Sequence, residues 1–167
     1  MMEIYIKSSN AAKDYFYQGE HFLEAAWRCF GQKNDTGFAI VKEDKFQQLS
    51  VPCVVNAAFS CEMFFKSLLH QMKIQYGRKN GHNLHSLYKL LPSKVQNIIA
   101  KFCGNQKDNA VFENWIENHA EDFVDIRYLI ERDGWTAISP MSMLTIAENL
   151  STITAYLLDN ENLEEML

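Results

Sequence analysis

Apolar positions recur with a period near 3.6 along most of the chain. Ala12, Tyr15, Phe16, Gly19, Phe22, Leu23, Ala26 and Phe30 share one helical stripe and predict a first helix from Ser8 to Phe30. Residues 31–49, with Gly31, Asn34-Asp35 and Gly37, carry little periodicity and predict a loop. Ser50 as a cap and Pro52 in the first turn predict a second helix reaching about Ile74. A Gly-bounded loop follows from Tyr76 to Gly81. Asn83 is placed to cap a short helix through Leu90, and Pro92 interrupts before another helix from Ser93 to Phe102. Beyond a polar loop at 104–109, a long helix is predicted from Val111 to Arg132, stopped by Asp133-Gly134. Ser139-Pro140 then opens a last helix to about Leu158. Only the short Glu3–Lys7 stretch reads as a strand. The pattern is that of an all-α chain, an up-and-down helical bundle of about five or six helices, organised as a single domain over residues 1–167.

At about 100° per residue, the second helix gathers Val54, Ala58, Cys61, Phe65, Leu68 and Met72 into a central stripe. Glu62 and Lys66 fall among the apolar residues that flank it, away from the polar face formed by Asn56, Ser60 and Ser67. They are spaced i, i+4 with the acid first, the favourable order. One reading is an intrahelical pair at the edge of the core, with Lys66 snorkelling to water. The other is a semi-buried pair that a ligand or a second chain completes. In the long helix, Phe112, Trp115, Ile116, Phe123, Ile126 and Ile130 make the apolar face, and His119 lies within it. It is either a satisfied core histidine or a functional one. Arg127 sits on the shoulder of that face, and a guanidinium there must find an acceptor. Glu131, one turn on, is one choice, and Glu62 across the bundle is another.

Composition adds that the chain is globular: 47% of its 167 residues are hydrophobic and 13% aromatic, a content that disordered chains lack. No apolar signal core follows the N-terminus and no uncharged apolar run of about 18 residues occurs, so a cytoplasmic protein without a membrane span is expected. The four cysteines, at 29, 53, 61 and 103, show no C-x-x-C spacing and predict free buried thiols. No His/Cys constellation has metal-ligand spacing, so neither a metal nor a cofactor is expected.

Charge changes the picture more. The net charge is −5, which taken whole argues against a general nucleic-acid binder. Yet Met63 to Lys107 contains no Asp or Glu and holds Lys66, Lys73, Arg78, Lys79, Lys89, Lys94, Lys101 and Lys107, so this stretch carries +8 and the remainder −13. Within it runs Gly77-Arg78-Lys79-Asn80-Gly81-His82-Asn83-Leu84-His85. The glycines let backbone approach a phosphate, and Asn83 starts a helix whose N-terminus attracts anions. The alternative is a solvated turn whose cations face the acidic side of the long helix.

Two stretches together resemble the HEPN superfamily of bacterial helical-bundle proteins. Residues 57–69 (Ala-Ala-Phe-Ser-Cys-Glu-Met-Phe-Phe-Lys-Ser-Leu-Leu) followed by 81–88 (Gly-His-Asn-Leu-His-Ser-Leu-Tyr) are similar to the family's "A..lE..lKaLl … GH.L..L" arrangement. Residues 122–131 (Asp-Phe-Val-Asp-Ile-Arg-Tyr-Leu-Ile-Glu) resemble the "aFv.lRY.yE" segment of one HEPN-like branch. The likeness spans roughly residues 50–132. It implies a helical bundle, often dimeric, and a place in toxin–antitoxin or phage-defence systems, where many members are metal-independent RNases and others are binding modules. The nuclease members carry an Arg followed after four to six residues by a His near the start of a late helix. This chain departs from that pattern. No His follows Arg127, His119 precedes it, and Arg78 with His85 meets the spacing only across a loop.

The departure favours a module that binds RNA or a nucleotide without cleaving it, through Glu62, Lys66, Arg78, Lys79, His82, Arg127 and Glu131. A metal-independent RNase is the first alternative, with His119, His82 or His85 moving the proton and Arg127 or Arg78 on the phosphate; His119 with Arg127 is its rearranged catalytic pair. A homodimerisation module, its acidic helix face against the basic segment of a second copy, is the other.

Overall fold

Helix α1 (Ala11–Phe30) begins where the Asn10 side chain accepts the Lys13 amide at 3.2 Å and ends at Gly31, whose φ of 136° suits only glycine. The computed structural model describes residues 10–31, 33–34, 37–38, 43–77, 81–104, 109–120 and 139–159. The predicted start at Ser8 and the Glu3–Lys7 strand lie outside them. After α1, β1 (Lys33–Asn34) and β2 (Gly37–Phe38) form a minimal antiparallel ribbon.

Helix α2 (Glu43–Gln71) starts earlier than the sequence pattern predicts. Ser50 is not its cap, and Pro52 lies inside it. Proline there supplies no amide to the Gln48 carbonyl, but Glu43 to Leu49 are mostly strong helix formers and carry the helix through the gap. The end of α2 is a Schellman reversal. Lys73 adopts φ 57°, its amide bonds the His70 carbonyl at 3.1 Å, and the Ile74 amide reaches back to the Leu69 carbonyl at 2.8 Å.

Helices α3 (Leu84–Leu90), α4 (Ser93–Cys103), α5 (Asn109–Asn118) and α6 (Pro140–Asp159) complete the six helices among the described residues. Asn83 caps α3 by accepting the Ser86 amide at 2.7 Å, and Ser139 caps α6 by accepting the Ser142 amide at 3.3 Å. The long helix predicted from Val111 to Arg132 is interrupted. α5 stops at Asn118, and His119 and Ala120 form a turn. The Ala120 amide bonds the Glu117 carbonyl at 3.4 Å, an i, i+3 turn, and the Ala120 carbonyl accepts the Leu84 amide at 3.1 Å, which ties this turn to the start of α3. Arg127 and Glu131 lie outside the described residues.

The architecture is an all-α bundle with α2 at its centre, packed on α1, α6 and α3; α5 packs on α3 and α4, and α4 on α6. Contacts of Ala12 with Ser67, Phe16 with Phe64 and Phe22 with Phe59 run in opposite orders along α1 and α2, which are therefore antiparallel. Their spacing is tight at Gly19, where a Cβ would stand 2.5 Å from the Phe64 ring. Ser60 and Ser67, expected on a polar face of α2, are fully buried. The Ser67 hydroxyl donates to the Ala12 carbonyl and the Ser60 hydroxyl to the Ala57 carbonyl, both at 2.7 Å, so each small polar group is satisfied without water. One contiguous core runs from Leu23 through Phe65, Leu87, Ile99 and Ile116 to Leu157. No helix among the described residues is long and apolar enough to cross a membrane.

Candidate functional site

Because α2 is surrounded over residues 57–69, any charge on that stretch is taken out of water. Glu62 is 1% exposed and Lys66 8%. Lys66 Nζ donates to Glu62 Oε1 at 2.6 Å, so the pair is buried and not at the edge of the core with its lysine in water. Burial removes most of the salt screening that weakens such pairs at a surface, and it makes either partner costly alone.

The Schellman reversal folds the chain after α2 back over this pair. Lys66 Nζ lies 5.7 Å from the centroid of the Tyr76 ring, a cation–π contact. His82 Nδ1 lies 3.2 Å from Glu62 Oε1 and 3.3 Å from Oε2. Glu62, Lys66 and His82 are thus brought together by the fold. Arg78 and Lys79, which join Tyr76 to His82 in sequence, lie outside the described residues. His119 is half-buried against Trp115, with ring centroids 4.8 Å apart, and the Trp115 indole donates to the Ser142 hydroxyl of α6 at 3.1 Å.

Beside Tyr76 stands a group that the sequence reading did not single out. Tyr15 of α1 stacks on His70 at 4.9 Å and 24°, and Tyr76 meets His70 edge-on. The Tyr76 hydroxyl donates to the Tyr15 oxygen at 3.4 Å and stands 3.4 Å from His70 Nε2. Burial, then the Tyr15 hydroxyl and the nearby Glu62 charge, push ionisation of Tyr76 well above the ordinary phenol range, so it remains a neutral hydroxyl. His70, Lys73, Ile74, Gln75 and Tyr76 line an open cleft of about 600 Å³. The only hint in the sequence was a histidine and a tyrosine six residues apart inside the acid-free segment; Tyr15 itself reads as core.

A second cleft of about 470 Å³ lies between α1 and α6, lined by Glu20, His21, Leu23, Glu24, Trp27 and Glu148. Its carboxylates repel anions. Among the described residues no group of three or more His, Cys, Asp or Glu side chains is arranged to hold a metal ion. What the first cleft offers chemically is a cation, ring faces and neutral donors, the equipment for holding a planar anionic ligand. Compared with protein-family models, with curated proteins and with solved structures, the chain matches none of them.

Proposed function

We propose that this chain is a non-catalytic, HEPN-like helical module that binds RNA or a nucleotide through the face built by the end of α2 and the chain that follows it. The observation that carries this reading is the meeting, at one open cleft, of the Tyr15–His70–Tyr76 ring cluster with Lys73. The exposed His70 ring, backed by the half-buried Tyr15 and Tyr76, offers a platform for a base, and cations drawn from an acid-free stretch offer contacts to phosphate. Glu62, the acid beneath this face, is neutralised by Lys66, so it does not repel an arriving anion. Binding without turnover follows from the absence of an Arg–His pair at nuclease spacing in a late helix. The bacterial defence setting implied by the resemblance accompanies this reading.

The test is fluorescence anisotropy with a labelled single-stranded RNA in EDTA, with RNA integrity checked on a gel. Intact RNA is expected, bound with an affinity that falls steeply with salt. Lys73→Glu should weaken binding, and His70→Ala should weaken it by roughly 1–3 kcal/mol if a base stacks there. Absence of binding at low salt overturns the reading, and cleavage in EDTA replaces it with a metal-independent RNase.

A further inference from the structure

We infer that the cleft at the end of α2 selects one unpaired nucleotide and takes it base first, the base stacked on the open face of His70 and the phosphate held outside by Lys73. This rests on the binding reading above and adds to it which part of the ligand enters, how many bases it takes and why a duplex is refused.

The ring faces decide how a base is seated. Tyr15 covers one face of His70, with centroids 4.9 Å apart and planes 24° from parallel. Tyr76 takes an edge, its ring at 88° and its hydroxyl 3.4 Å from Nε2. Among the described residues no ring covers the other face, and His70 is exposed. A ring held on one face and one edge is already oriented for stacking, so little side-chain freedom is lost when a base settles on it. Of the other residues lining the cleft, the half-buried Ile74 adds apolar surface. The exposed Gln75 carries an amide able to donate to a base edge and to accept from it.

The helix end decides which part of the ligand enters. His70 lies in the last turn of α2, where the aligned peptide dipoles leave a partial negative charge. A phosphate is repelled there, whereas a base is uncharged and brings N–H donors. Lys73 stands two residues beyond the helix, on a flexible stem that meets a phosphate away from that end. Among the described residues that line the cleft, the exposed ring is that of His70 and the ammonium that of Lys73, a pairing that matches one nucleotide. An open space of about 600 Å³ accommodates a ligand of that size. A duplex keeps its bases paired and stacked, so it presents only phosphates unless a base is extruded at a cost.

Fluorescence anisotropy compares a labelled short single-stranded RNA with the same strand lacking its bases and with the same strand annealed to its complement. Wild-type protein should bind the first roughly tenfold or more tightly than either of the others, the range that one stacked base supplies. His70→Ala, an exposed replacement whose fold is checked by circular dichroism, should bind all three alike. His70→Phe restores a flat ring and should recover the preference. In competition, adenosine monophosphate should displace the single strand, and pyrophosphate, which has charge but no base, should not. Equal affinity of the wild type for the three RNAs, a preference that survives in His70→Ala, or displacement by pyrophosphate as readily as by the nucleotide overturns this inference and leaves the binding reading standing. Absence of RNA binding by the wild type overturns both.

Discussion

Replacing Lys66 with methionine keeps the apolar stem of the side chain and deletes only the ammonium that lies 2.6 Å from Glu62. The carboxylate left behind is 1% exposed, so water does not take over the lost interaction. Breaking one side of a buried ion pair typically costs about 3–5 kcal/mol. Glu62 retains His82 as a neighbour, which places Lys66→Met at the lower end, about 3 kcal/mol. Glu62→Gln strands a lysine whose side chain is 10% exposed and which keeps the Tyr76 ring; about 2 kcal/mol is expected. The double variant leaves no charge uncompensated and should cost no more than about 1–2 kcal/mol, because a neutral pair of similar volume replaces a buried ion pair with little loss. The two sites then couple by roughly 3 kcal/mol, well outside the scatter of independent sites. Urea unfolding resolves this. With a slope of about 1–3 kcal/mol per molar, a 3 kcal/mol loss moves the midpoint by roughly 1–3 M against a total stability of about 5–15 kcal/mol. Additive single variants, or a Lys66→Met cost below about 1 kcal/mol, would refute the claim that this pair is closed off from water.

Gly19→Ala should destabilise by about 1–3 kcal/mol in the same assay, although alanine favours helix by about 1 kcal/mol, because the new methyl meets the fully buried Phe64 ring at 2.5 Å. Lys73→Gly should raise stability by roughly 1 kcal/mol by relieving the left-handed backbone at φ 57°, while weakening RNA binding through loss of the cation. Thiol labelling of the native protein should modify Cys29 first, because burial holds Cys53 and Cys103 up at about 12 and Cys61 higher still; equal rates at all four would contradict the burial. The same thiols make stability fall as pH rises from the ordinary thiol value of 9 through about 12, since the unfolded chain releases protons that the folded chain retains; a flat alkaline limb in urea midpoints would contradict it.

Elements bounded by their own local chemistry were legible from sequence. Asn83 and Ser139 cap α3 and α6 as their positions suggest, since a cap needs only a side-chain oxygen and an amide two or three residues on. Where the outcome depended on a neighbour, local rules misled. Ser50 and Pro52 spell a helix start, yet Glu43 to Leu49 continue α2 upstream of them. Ser60 and Ser67 look solvated on a wheel, yet a hydroxyl that finds a carbonyl can be buried, and Ser67 finds one on α1. The predicted long helix gives way to a turn at His119 and Ala120, where the Ala120 carbonyl accepts an amide from α3, a contact with no trace in the 111–132 pattern. For the site, the i, i+4 spacing of Glu62 and Lys66 was visible as a pair, but its depth was not. That depth comes from α1, α3 and α6 closing around α2. Tyr15, His70 and Tyr76 come from two helices and a turn, so no single window of sequence contains the cleft.

Lys73 joins these threads. The chain that leaves α2 adds to the cover that α1, α3 and α6 give the buried carboxylate and ammonium near its C-terminus. The reversal at Lys73, held by the Ile74 amide on the Leu69 carbonyl, sends Tyr76 back over Lys66 and, farther along, His82 onto Glu62. The backbone strain at φ 57° is the local cost of this return, and the αL geometry also sets a lysine at the lip of the cleft beside His70. The turn that brings Tyr76 over Lys66 is also the turn that assembles the ring-lined cleft beside Lys73. A glycine at 73 keeps the turn and loses the cation, whereas a β-branched residue there opposes the turn itself, so the two substitutions separate the fold's use of this position from the binding proposed for it.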